Sequence, residues 1–392
     1  MGLNNTPLSE RIHIGIFGRR NAGKSSVINA MTGQNLAIVS DVAGTTTDPV
    51  QKAMELLPLG PVVMIDTPGL DDVGELGKMR VEKAYQVLQK TDIAIIVIDA
   101  SIGETAEDAA ILAEIQKRSI PYIIVKNKAD LTQKQDGENE IFVSAKTGEN
   151  ISVLKERIAA LAPKGEKEHR IIVDLLEQND FVVLVVPIDS AAPKGRLILP
   201  QQQTIRDILE AGANAIVVRD SELQETLVSL GKRPRLVITD SQIFGKVSKI
   251  VPEDIPLTSF SILMARYKGN LEQNVKGARA LEQLKNGDTV LISEGCTHHR
   301  QCEDIGTVKL PRWIREYTGK ELQFQFTSGG TFPADLSPYT LIVHCGGCML
   351  NEKEMQHRLS IAKEQSAKMT NYGICIAYIH GILERSLAPL GL

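Results

Sequence analysis

The chain has 392 residues, of which 43% are hydrophobic and 23% charged. This is ordinary globular usage at a length that suggests two to three domains. Its 44 basic and 48 acidic residues give a net charge of -4, and no Lys/Arg run appears, which argues against a nucleic-acid partner. The longest apolar runs, such as 181–187, are far too short for a membrane span, and residues 1–11 carry no apolar signal region, so a cytoplasmic protein with no membrane partner is expected.

Residues 1–164 alternate strand and helix patterns. IHIGIFG (12–18), PVVMID (61–66), IAIIVIDA (93–100), YIIVKN (122–127) and IFVSA (141–145) read as short buried strands bounded by turn residues. A helical stretch lies at 106–118. This alternation predicts an α/β fold with a doubly wound parallel sheet. Residues 162–168, rich in charge with Pro163 and Gly165, read as a linker. Strands at 181–189, 215–220 and 235–240 and helices at 201–211 and 221–230 predict a second α/β domain over 165–262. A third, over 263–392, is expected to open with a helix at 262–284. TVLIS (289–293) and TLIVH (340–344) read as strands, followed by a long helix with Met355, Leu359, Ala362 and Met369 on one face.

Chemistry concentrates in two places. Gly18-Arg19-Arg20-Asn21-Ala22-Gly23-Lys24-Ser25 fits GxxxxGK[ST] between a strand and a helix, the context this phosphate loop requires. Backbone N–H groups there would cradle phosphates, Lys24 would reach the β- and γ-phosphates, and Ser25, followed by Ser26, would bind Mg²⁺. Asp66-Thr67-Pro68-Gly69 ends another strand, where Asp66 can hold Mg²⁺ through water and the Gly69 N–H can sense a γ-phosphate. Asn127, Lys128 and Asp130 follow a third strand. Asp130 can accept from guanine N1–H and the 2-amino group, a donor pair adenine lacks. Ser144-Ala145-Lys146 would close over the base. Motifs at successive strand ends share the ligand edge of such a sheet.

This set resembles the Ras-like P-loop GTPases of the translation-factor-related branch, and GRRNAGKSS with VAGTTTD is most similar to the tRNA-modification and Era-type GTPases. The resemblance implies binding of GTP and GDP. It makes Thr46, between Thr45 and Thr47, the switch threonine that meets Mg²⁺. Leu70 stands where Ras-like proteins carry a catalytic glutamine and cannot orient water, so hydrolysis is expected to be slow. Relatives with this leucine often use K⁺ held partly by a phosphate-loop asparagine, and Asn21 occupies that place.

The second place is cysteine-rich. Cys296-Thr297-His298-His299 follows TVLIS, and His344-Cys345-Gly346-Gly347-Cys348 ends TLIVH. If both strands share a parallel sheet, their carboxyl ends converge. Spacing alone leaves structural zinc and an iron–sulfur cluster about equally open. Cys302 and Glu303 are further donors, and Cys375, His13 and His380 read as core residues.

A GTPase domain followed by Cys-x-His and His-Cys-x-x-Cys resembles the FeFe-hydrogenase maturation GTPases, the HydF family. CTHH, EDIG (303–306), PRWI (311–314) and HCGGC carry the likeness over nearly the whole chain. The resemblance implies a GTP-binding domain, a dimerisation domain and a cluster domain. It implies a 4Fe–4S cluster on Cys296, Cys345 and Cys348, with His298, His344 or Glu303 as candidates for an exchangeable ligand. It also implies a scaffold that carries a transient two-iron cluster precursor, built with two radical-SAM maturases, to the apo-hydrogenase. Cys302 departs from the expected pattern. The competing readings are a ribosome- or tRNA-associated GTPase with a structural zinc domain, and a redox protein.

Overall fold

The computed structural model describes residues 6–33, 49–71, 74–132, 137, 139–162, 170–188, 197–295 and 304–392. They form two compact units, one from Met1–Gly165 with Asn351–Glu354 and one from Glu166–Leu350 with Met355–Leu392.

The first unit is built on six strands: β1 (Ile12–Phe17), β2 (Val50–Leu56), β3 (Gly60–Asp66), β4 (Ile93–Asp99), β5 (Tyr122–Asn127) and β6 (Glu140–Phe142). Their order is β2-β3-β1-β4-β5-β6. β4 is buried along its whole length, as a central parallel strand must be, and this is why its sequence is apolar from Ile93 to Ile98. Helices cover both faces and close two apolar cores. Val27, Met31 and Leu154 pack on one side, and Ala84, Val87, Ile111 and Ile115 on the other. The sheet is not wholly parallel as expected. β2 runs antiparallel to β3 at the edge, with Val50 opposite Asp66. Its sequence VQKAMEL leaves most side chains to solvent, so it offered no apolar run to find.

The second unit holds two four-stranded sheets. One contains β7 (Phe181–Val185), β8 (Asn214–Val218), β9 (Leu236–Thr239) and β10 (Leu257–Ser259) in the order β10-β9-β7-β8. The other contains β11 (Thr289–Ser293), β12 (Gln323–Thr327), β13 (Leu341–His344) and β14 (Met369–Asn371) in the order β12-β11-β13-β14. Every strand pair in both sheets is parallel. β10, β12 and β14 were not evident in the sequence. β10 and β14 have three residues each, and β12, QFQFT, is a partly exposed edge.

Three further expectations are corrected. The helix expected at 262–284 is two helices, Phe260–Tyr267 and Leu271–Ala278, followed by a 3-10 turn, Arg279–Gln283. Gly269 and Asn270 break it, glycine being the weakest helix former after proline. The first of these helices spans the 262/263 boundary, and its Phe260, Leu263 and Met264 pack on Val182, Leu184 and Ile238. The amphipathic helix is Glu352–Glu364, and Met369, though buried, lies in β14 beyond it. His380 is exposed at the end of helix Tyr372–Ile379, edge-on to Trp313 with centroids 6.0 Å apart. His13 and Cys375 are buried as expected.

Helix Leu271–Ala278 lies very close to β14. A Cβ on Gly277 would fall 1.8 Å from the Met369 carbonyl oxygen, so only glycine permits that approach. Ala278 then joins Val183, Phe244 and Ile374 in a core that draws on elements around both sheets.

Candidate functional site: a nucleotide edge and a cysteine edge

The phosphate loop runs from Gly18, after β1, to Lys24, which opens helix Lys24–Thr32. Gly23 has φ +91°, and a Cβ there would meet the Asn127 amide nitrogen at 2.2 Å, so the motif glycine is sterically required. Asn127 Nδ2 donates to the Ala22 carbonyl at 3.1 Å, and its Oδ1 accepts from the Ala145 N–H at 3.1 Å. This residue ties the phosphate loop to the Ser144-Ala145-Lys146 loop. Lys24 Nζ donates to the carbonyls of Gly18 and Arg19, both at 2.8 Å. Ser26 sits on the first turn of the helix.

Ser25 Oγ donates to Asp66 Oδ2 at 2.8 Å. Asp66 Oδ1 is buried and has no hydrogen-bond partner among the described residues. Burial pushes this carboxyl above the usual carboxylate range, against the Ser25 hydrogen bond and the Lys24 charge. A buried acceptor oxygen lacking a donor, beside a hydroxyl, fits a hydrated divalent cation. Gly69 lies close under the loop, where a Cβ would be 2.9 Å from the Arg20 nitrogen. Leu70 is 6% exposed and packs in the core with Phe17, Val63 and Ile65. Thr46 lies outside the described residues, as do Thr45 and Thr47.

At the base side, Asp130 is exposed and its Oδ1 accepts from Ser144 Oγ at 2.8 Å. Lys128 pairs with Asp99 at 2.5 Å. Lys146 is exposed. Asn21 lines a cavity of about 320 Å³ with Arg19, Arg20, Asp71, Asp99 and Lys128. Sequence reasoning passed over Asp71, whose Oδ1 accepts from the Arg20 N–H at 2.6 Å and whose Oδ2 pairs with Arg19 at 3.7 Å. An acid two residues after the Asp66-Thr67-Pro68-Gly69 motif was the available signal.

The cysteine edge belongs to the second unit. β11 and β13 are parallel neighbours with Ser293 opposite His344. The Gly295 N–H donates to Cys345 Sγ at 3.0 Å, and the Gly347 N–H donates to the same sulfur at 3.4 Å. Burial pushes the thiols of Cys345 and Cys348 above the usual range. A sulfur receiving two backbone N–H groups at the end of a strand suits a metal-bound thiolate. Cys296, His298, Cys302 and Glu303 lie outside the described residues. Among the described residues no group of three or more His, Cys, Asp and Glu forms a metal cage.

His344 does not offer a free nitrogen here, against its expected place among the exchangeable ligands. Its Nδ1 is 2.7 Å from the Cys345 carbonyl oxygen and its Nε2 is 2.9 Å from Arg358. Burial and the Arg358 charge push its pKa down to about 3. Three further residues of this edge were not singled out. Arg358 is 1% exposed, and its second guanidinium nitrogen donates to the Gly329 carbonyl at 2.8 Å. Lys268 donates to the carbonyls of Gly347 and Leu350. Glu294, 3% exposed at the end of β11, accepts from the Tyr372 hydroxyl at 3.2 Å. A charged residue inside an apolar stripe was the signal for Arg358.

Two family models match the second unit. A hydrogen maturase F dimerization domain covers 171–269, and a hydrogen maturase F tetramerization domain covers 272–389. Together they span more than half the chain. The chain belongs to the hydrogen maturase F (HydF) family. A third model, of a 50S ribosome-binding GTPase, covers 13–128 of this HydF chain. The tRNA modification GTPase MnmE of Laribacter hongkongensis is 36% identical over 169 residues, 41% of this chain and 37% of that protein. MnmE of Chromobacterium violaceum is 35% identical over 158 residues, 38% of this chain and 35% of its own length. The HydF chain thus spans about a third of these curated relatives, through its GTPase domain. Aquifex aeolicus Era bound to GDP.AlF4- shares 21% identity, over 53% of this chain and 92% of that one, with a TM-score of 0.36. The chain therefore pairs a GTPase domain with two further domains whose family models describe dimerization and tetramerization. Among the described residues no helix is long and apolar enough to cross a membrane.

Proposed function

We propose that this chain is a cytoplasmic scaffold and carrier that assembles the two-iron precursor of the FeFe-hydrogenase active site and delivers it to the apo-hydrogenase. The two radical-SAM maturases are the partners that build the cargo. Three domains divide the work: GTP binding over 1–164, dimerisation over 165–262 and cluster binding over 263–392. Cys296, Cys345 and Cys348 hold a 4Fe–4S cluster, and His298 or Glu303 supplies an exchangeable fourth ligand. A cluster on three thiolates supplies one iron with a replaceable ligand, where the cargo can dock.

The observation that carries the reading is the pairing of β11 with β13. It sets the Gly295 N–H on Cys345 Sγ, and Cys296 is the next residue after Gly295 in the sequence. The protein's own groups prepare that edge: Gly295 and Gly347 hydrogen-bond the sulfur, and Lys268 holds the turn through its carbonyls. GTP acts at a separate edge in the other unit, where Lys24, Ser25, Asp66, Gly69 and Thr46 surround the phosphates, and Asn21 holds a stimulating K⁺. A switch segment that orders with GTP and biases domain or partner contacts links the two activities.

Anaerobic reconstitution tests the reading. The wild-type protein is expected to turn brown and to bind about four irons with matching sulfide. A colourless protein carrying zinc would replace it with a structural metal domain. Loss of hydrogenase activation on deletion of this chain separates a carrier from an electron-transfer protein.

A further inference from the structure

We infer that Arg358 is a positioning residue of the cysteine edge: it holds His344 as a hydrogen-bond acceptor through Nε2, so that this imidazole shapes the Cys345–Cys348 turn instead of binding metal. The part concerning metal rests on the cluster reading above; the part concerning His344 stands on geometry alone.

The hydrogen-bond logic leaves one arrangement. A guanidinium has donors and no acceptor, and a carbonyl oxygen has no donor. Arg358 at 2.9 Å from Nε2 must donate, so Nε2 presents its lone pair to Arg358. The Cys345 carbonyl at 2.7 Å from Nδ1 must accept, so Nδ1 carries the proton. His344 is then a neutral imidazole with no lone pair left for iron or zinc.

The fold places Arg358 deliberately. Helix Glu352–Glu364 turns Met355, Leu359 and Ala362 into the core, and Arg358 shares that buried face. A buried cation is costly unless its donors are used. Here one nitrogen serves His344, another serves the Gly329 carbonyl, and the guanidinium lies 5.2 Å from the Phe332 ring centroid. A residue needed only for packing would be an aliphatic one. The result is transmitted through His344 to the Cys345 carbonyl, fixing the peptide that leads to Gly347, whose N–H meets Cys345 Sγ. The same guanidinium puts a fixed positive charge behind the turn, which favours the more negative, reduced form of any cluster held there.

The test uses the full chain. In metal-free protein labelled at the imidazole nitrogens, NMR is expected to show His344 in the neutral Nδ1–H form. Arg358→Lys keeps a donor and should preserve that form, and Arg358→Met should lose the bias. In reconstituted protein, Arg358→Met should lower the cluster midpoint potential, while Arg358→Lys restores it. His344→Gln retains an acceptor near the ε position and should leave the cluster EPR signal intact. An Nε2–H tautomer in the wild type overturns the inference. So does a nitrogen hyperfine coupling that His344→Gln abolishes, or a potential unmoved by Arg358→Met. Wild-type protein that takes no cluster defeats the scaffold reading, and the tautomer measurement still decides the role of Arg358.

Discussion

Asn127 donates from its side-chain amide to the backbone carbonyl of Ala22, 105 residues earlier, at 3.1 Å. With the Ala145 N–H on its other amide atom, it closes a clasp between the loop expected to meet phosphate and the loop expected to meet the base. A motif asparagine thus shapes the site from behind.

Cutting that clasp should therefore loosen both loops together. Asn127→Ala removes two buried hydrogen bonds, a loss of about 1–3 kcal/mol for each group left unpaired. The GTPase domain should melt at lower temperature, and GDP affinity should fall at least tenfold on the same basis, about 1.4 kcal/mol. Calorimetry and thermal melts check this; a variant that binds GDP as the wild type does would assign Asn127 no clasping role.

Guanine selection is expected to rest on Asp130. Its carboxylate can take two donors from guanine, and Ser144 Oγ already holds Oδ1 at 2.8 Å. Asp130→Asn should weaken GDP binding by roughly a hundredfold, from two charge-assisted bonds, and improve xanthosine diphosphate binding. Equal wild-type affinity for GDP and ADP would defeat the assignment.

Potassium should stimulate hydrolysis. Leu70 is buried in the core and cannot position water, so the γ-phosphate needs another source of positive charge. Turnover in potassium chloride is expected to exceed that in sodium chloride by on the order of tenfold, the scale of one modest electrostatic contact. Asn21→Ala should erase the difference. Identical rates in the two salts would remove K⁺ from the scheme.

Each of Cys296→Ser, Cys345→Ser and Cys348→Ser should lose most reconstituted iron, while GTP hydrolysis persists because Lys24, Ser25 and Asp66 belong to the other compact unit. Cys302→Ser should retain the cluster. Iron analysis that finds Cys302→Ser as depleted as Cys345→Ser would make the site a closed four-cysteine one.

What the sequence disclosed, and what it hid, has a physical pattern. β4, β7 and β13 were legible because strands buried on both faces read as near-continuous apolar runs, here broken only by Asp99 and His344 at the strand ends. β2, β12 and β14 were hidden, the first two by edge exposure and the third by its length. Phosphate-loop residues were legible because backbone geometry dictates their identity, as at Gly23. Asp71 and Arg358 were not, because their roles depend on segments distant in sequence: the Arg20 N–H in one case, His344 and Gly329 in the other. His344 stood among the candidates for an exchangeable ligand because its position beside Cys345 was visible and its partner Arg358 was not.

The register of β11 and β13 carries one more consequence. The strands that bear the cysteine edge are joined by backbone ladders and by the core residues Val290, Ile292, Leu341 and Val343. Their geometry is thus paid for by the sheet and owes nothing to metal bonds. A small zinc domain unfolds when its ion leaves, because the ion is its core. On the carrier reading, this sheet-held edge is expected to keep its fold when iron leaves, so that one chain could be loaded more than once.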